Sequence, residues 1–80
     1  MNRTMDEVVS TIPTSWIQDG APPLEVDFGC HRGAFFIAMA AMNPCVNFLG
    51  LEKQADRVKK CMGKIGRLGL DNALAVQGLG

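Results

Sequence analysis

Eighty residues allow one small domain, which hides only about 60% of the surface its unfolded form exposes, so its stability is marginal. Eight basic and eight acidic residues cancel, and the whole-chain charge gives no argument for nucleic acid; 48% hydrophobic and 20% charged residues exclude a disordered chain. The start has no apolar h-region of signal-peptide type and no apolar run reaches the ~18 residues of a membrane span, which points to the cytoplasm and to no membrane partner.

In chain order, the first 23 residues hold no sustained period. Pro13, Gly20, Pro22 and Pro23 punctuate them, so an irregular segment is expected, with Trp16-Ile17 as an apolar anchor packing back on the body. "LEVDFG" (Leu24 to Gly29) reads as a short strand stopped by glycine. "GAFFIAMAAM" (Gly33 to Met42), apolar nearly all round, is a buried helix that ends at Asn43-Pro44. Phe35 and Phe36 point to different sides of this helix, and both belong to the expected core. "VNFLGLE" (Val46 to Glu52) is a second strand with an acidic end. Val58, Cys61, Met62, Ile65 and Leu68 then share one helical face, with Gly69 as the natural stop. Lys53, Arg57, Lys60, Lys64 and Arg67 form a neighbouring basic stripe, either the solvated face of the helix or a contact for phosphates. "ALAVQG" (Ala73 to Gly78) is a third strand. The order β-α-β-α-β implies an α/β, Rossmann-like unit with a parallel sheet and right-handed crossovers.

"DFGCHRGAF", residues 27 to 35, occupies the first strand-to-helix turn, where doubly wound sheets bind ligands. A P-loop is excluded, because no Gly-Lys-[Ser/Thr] follows. The dinucleotide fingerprint finds only Gly29 of its three glycines. The pattern acid-x-Gly-x-Gly-x-Gly of S-adenosylmethionine enzymes fits at Asp27, Gly29 and Gly33 and misses at His31. Glu52, at the same edge of the sheet, can accept hydrogen bonds from the ribose hydroxyls of an adenosine-type ligand; its plain alternative is a solvated acid favoured by the next helix's dipole. His31, beside a helix N-terminus, is expected as a neutral ring that tolerates positive φ while its side chain intrudes on cofactor space. No metal is expected: Cys30, Cys45 and Cys61 lack the paired spacing of zinc modules, and an odd count argues against a disulfide framework.

"PLEVDFG", followed by "GAFFIAMAAMNPCVNFLGLE" and "RLGLDNALAVQG", resembles the amino-terminal half of the tRNA (guanine-N7)-methyltransferases, from about Leu24 to Gly78. The run Asn43-Pro44 to Glu52 and the run Gly69 to Asn72 are more specific than the glycine loop. The resemblance implies a partial class I fold over residues 24–80 that binds S-adenosylmethionine. In the intact enzyme it implies methyl transfer to N7 of a guanine in the tRNA variable loop. Asp27 and Glu52 take the places of the family's two cofactor acids, and Gly29 and Gly33 of two loop glycines. His31 stands where the family has its middle glycine, and Leu79 where it has an acid beside the adenine. With the family's catalytic segment lying downstream, no residue here is an evident catalyst and the chain by itself is expected to be inactive. Two other readings stay open: a non-catalytic or degenerate adenosine-nucleotide-binding fragment, and another class I methyltransferase acting on a small molecule. Without a neighbour for its first strand, the chain is expected to self-associate through residues 24–28.

Overall fold

The computed structural model describes residues 5–78. Its elements run α1 (Met5–Thr11), α2 (Thr14–Ile17), β1 (Leu24–Phe28), α3 (Ala34–Met42), β2 (Asn47–Glu52), α4 (Ala55–Leu68) and β3 (Ala73–Gln77). The three strands are parallel in the order β1-β2-β3, with Val26 opposite Leu49 and Asp27 opposite Gly50, then Leu49 opposite Leu74 and Glu52 opposite Gln77. The β-α-β-α-β reading therefore holds, and each strand and helix boundary lies within a residue or two of its expected position.

Strand periodicity divides the core into two layers. Phe48, Ala73 and Ala75 face α3 and α4 and pack with Phe36, Ile37, Ala40, Cys61 and Ile65. Leu49, Leu51 and Val76 face the other way and pack with Val8 and Trp16. Both crossover helices thus cover one face, as right-handed connections require, and the amino-terminal segment covers the other.

That segment corrects an expectation, since residues 5–11 and 14–17 are helical rather than irregular. At seven and four residues, each helix is too short to display a period in sequence. Tertiary burial of Val8 and Trp16 holds them in place. Trp16 is the anchor anticipated, whereas its neighbour Ile17 is exposed.

The helix α3 is a second correction. It was expected to be buried, yet only Phe36, Ile37 and Ala40 are, and Phe35 is 73% exposed. Phe35 and Phe36 take different sides of the helix, about 100° apart, and only the side of Phe36 is covered by the core. In α4 the expected face is narrower than its pattern: Cys61 and Ile65 are buried, Val58 packs at the margin, and Met62 and Leu68 are exposed.

One side chain ties the far end of the sheet together. Asn72 Nδ2 lies 3.0, 3.1 and 2.9 Å from the carbonyls of Ala40, Asn43 and Val46, closing the turn between α3 and β2 against the start of β3.

Candidate functional site

The carboxyl ends of β1 and β2 meet where their ladder runs on into the loop: the N–H groups of Gly29 and Cys30 both donate to Leu51 O, at 2.7 and 3.0 Å. This forces the chain to turn at once. Gly29 (φ 67°), His31 (φ 53°) and Gly33 (φ 79°) all take left-handed backbone conformations. His31 is the only non-glycine among the described residues to do so, in keeping with its tolerance of that region.

The two glycines serve different ends. A Cβ on Gly29 would meet no atom within 4 Å, so the backbone there borders open space. A Cβ on Gly33 would come within 2.8 Å of Cys61 Sγ, Ile37 Cδ1 and Phe36 Cε1, so this position is closed by the core. The sequence pattern gives both the same status, and the structure separates them. Gly33 lets the loop descend into α3 without displacing three side chains, whereas Gly29 leaves a surface that another molecule can approach.

Glu52 sits at the centre. Its residue is only 4% exposed, and its carboxylate is held by two backbone donors: the His31 N–H at 3.0 Å on Oε1 and the Gln54 N–H at 2.8 Å on Oε2. These bonds hold its carboxyl below the usual range, the Gln54 bond foremost, with burial opposing them and the His31 bond adding to them. Glu52 is thus not a solvated acid at a helix start. One residue clamps the loop after β1 to the loop after β2.

Asp27 shares the sheet face of Gly50, which is its register partner, and is half-buried. The buried thiol of Cys30 lies near both acids and near Cys61; loss of solvent is the largest of the effects that push it up to about 12. Cys61 is raised as well, again chiefly by burial. Burial thus favours the neutral thiol at both positions within the core. Among the described residues no cluster of His, Cys, Asp and Glu suits a metal ion.

Pattern reading missed Arg57. Its Nη1 lies 2.8 Å from His31 Nδ1. A guanidinium can only donate, so Nδ1 is the acceptor, and the ring is drawn toward α4 rather than left free over the loop. The two residues stand 26 positions apart, and nothing in their spacing announces the contact. Arg57 had been placed in the basic stripe; the structure takes it out and gives it to the loop. Asp27, Gly29, His31, Gly33 and Glu52 are thus all brought to one edge of the sheet, while Leu79 lies outside the described residues.

Residues 21–78 match the model of a family described as putative methyltransferase. A tRNA (guanine-N(7)-)-methyltransferase of Microcystis aeruginosa is 41% identical over 69 residues, covering 82% of this chain and 33% of its own. One from Staphylococcus aureus is 32% identical over 59 residues, covering 74% of this chain and 27% of its own. The chain thus spans about a third of these relatives' length. Among solved structures, a coclaurine N-methyltransferase superposes with a TM-score of 0.67 at 20% identity, over 81% of this chain and 19% of that one. A SAM-dependent methyltransferase from Aquifex aeolicus gives 0.64 at 17% identity, over 92% and 37%. At such identities the structural matches speak for the fold alone, which is a partial Rossmann-like α/β unit shared with these methyltransferase structures. With most of its length inside that match, the chain belongs to the family described as putative methyltransferase, and the sequence relatives it matches are named tRNA (guanine-N(7)-)-methyltransferases.

Proposed function

We propose that the chain is the cofactor-binding part of an enzyme that moves a methyl group from S-adenosylmethionine to N7 of a guanine in tRNA. The observation that carries this reading is the placement of Glu52. A carboxylate at the end of β2 shares an edge with a glycine loop whose Gly29 borders open space. Each carboxylate oxygen takes one backbone N–H and keeps lone-pair capacity for a second donor, which suits the two hydroxyls of a ribose. The α3 N-terminus has no side-chain cap, so its first N–H groups are available to a polar ligand. These residues fit the cofactor. The names of the sequence relatives support the tRNA substrate and the chemistry at N7.

The cofactor supplies an electrophilic methyl when bound. The chain's own contribution is positional: Glu52 fixes the ribose end, Gly29 admits the ligand to the backbone, and Asp27 and the loop define the approach from β1. In-line transfer draws most of its rate from holding donor and acceptor in register, so a holding site is a catalytic contribution in itself. His31 fills a position where a smaller residue leaves more room, and we expect it to weaken binding.

Titration calorimetry with S-adenosylmethionine tests the reading. A dissociation constant of about 10–1000 μM is expected, with Glu52→Ala removing the heat. No saturation at millimolar ligand, or binding indifferent to Glu52, would overturn the assignment.

A further inference from the structure

Neutral net charge conceals a strong segregation. Seven of the eight basic residues lie between Arg32 and Arg67, where only Glu52 and Asp56 are acidic. The structure concentrates them further than the sequence stripe does. Arg57 turns to His31, while Arg32 arrives from the loop and Lys59 from the next helical row. Arg32, Lys59, Lys60, Lys64 and Arg67 then line one shallow depression, with Asp56 as its single acid and Gly63 in its floor. Lys64 Nζ donates to the backbone carbonyl of Arg32 at 3.3 Å, which ties the loop to α4. Among the described residues Lys59, Lys60 and Arg67 have no ion-pair partner.

A hollow of this kind is costly to leave empty, because like charges at helical spacing repel one another. Lys60, Lys64 and Arg67 advance by about 6 and 4.5 Å along the helix axis, a row suited to successive phosphates of a polynucleotide strand. Gly63 lowers the floor between them. No aromatic or aliphatic side chain lines the depression, so it lacks the apolar wedge by which a peripheral helix enters a bilayer.

We infer that this depression, formed by α4 and Arg32, is a docking surface for the phosphate backbone of RNA. It reads charge and spacing rather than base sequence. The inference extends the proposed tRNA substrate and rests on that reading for the choice of RNA, but it assigns a surface apart from the Glu52 edge.

The test is fluorescence anisotropy of a labelled, unmodified tRNA against the 80-residue chain, from about 50 to 200 mM salt. Five phosphate contacts predict a log K against log salt slope of about −4. Lys59→Gln/Lys60→Gln/Arg67→Gln should weaken binding at least tenfold and flatten the slope by about three. Thr14→Glu/Ser15→Glu/Gln18→Glu changes net charge by the same amount on the opposite, exposed side and should leave affinity within about threefold. Equal loss in both variants would assign the effect to bulk charge and overturn the surface. So would absence of tRNA binding by a chain with a native circular-dichroism spectrum, or binding to phosphatidylserine vesicles in its place. S-adenosylmethionine titration of the glutamine variant separates the two readings: retained cofactor binding with lost tRNA binding supports the surface. Cofactor binding by a chain whose tRNA affinity ignores the three substitutions would sink the surface alone.

Discussion

Truncating Glu52 to alanine removes the acceptor of two backbone N–H groups at once. We expect the variant to lose about 1–3 kcal/mol of stability, measured by urea denaturation, in addition to its cofactor affinity. Glu52→Gln keeps the shape and one acceptor oxygen, and it should fall between the two. The same carboxylate links stability to pH. Its folded pKa is depressed, so its contribution is present above the usual carboxyl range and is lost as pH falls through the folded value. Thermal melts taken downward from pH 6 should show that loss in the native chain and not in Glu52→Ala. The cysteines behave in the opposite sense. Cys30 is raised from 9.0 to about 12, so its contribution holds below pH 9 and fades as pH climbs toward 12. Cys45 is exposed, whereas Cys30 and Cys61 are buried. Iodoacetamide at pH 8 should therefore modify one thiol of the folded chain rapidly and all three only after denaturation; rapid modification of three would mean that the loop opens readily.

At the level of elements, glycines that look alike in sequence carry opposite signs. Gly33 is held at φ 79° with three side-chain atoms 2.8 Å from a would-be Cβ, so Gly33→Ala should destabilise by about 1–3 kcal/mol. Gly66 lies inside α4 with nothing within 4 Å of that position, and Gly66→Ala should stabilise by up to about 1 kcal/mol. Denaturation midpoints of the two variants, moving apart from the parent, are the measurement. The strands were legible as short apolar runs bounded by glycine and proline, and α4 because its apolar residues recur at helical spacing. The helix α3 was legible as a helix but not as to which side it hides, since a run apolar all round has no face to read. For α1 and α2 the sequence carried too few residues for any period, and only contact with the sheet made them helical.

Over the whole molecule, the two open edges of the sheet differ. The β3 edge is partly closed by α4, where the Ala75 N–H meets Met62 Sδ at 3.3 Å. The β1 edge has no such cover, and its Val26 and Phe28 are 40% and 65% exposed. The cluster that holds Trp16 is built on Leu49, Leu51 and Val76 of β2 and β3 and meets β1 at Leu24, leaving Val26 and Phe28 outside it. We therefore expect the isolated chain to self-associate through Leu24–Phe28, visible as a rise in scattering mass with concentration. Phe28→Lys should suppress it, since a charged edge residue opposes strand addition. A monomer at all concentrations would mean that the exposed face is too small to drive pairing.

From Leu24 onward the order of strands and helices, the parallel sheet, the loop at its carboxyl edge and the presence of Glu52 beside it are all legible along the chain. These follow from local periodicity, from glycine and proline chemistry, and from the rule that crossovers are right-handed, none of which needs distant contacts. Which glycine faces solvent and which the core, the clamp of Glu52 on two loops, and the pairing of Arg57 with His31 while Arg32 joins the lysines of α4 emerge in three dimensions alone. Each of those depends on side chains far apart in the chain meeting in space, and a pattern along one dimension holds no record of such distances.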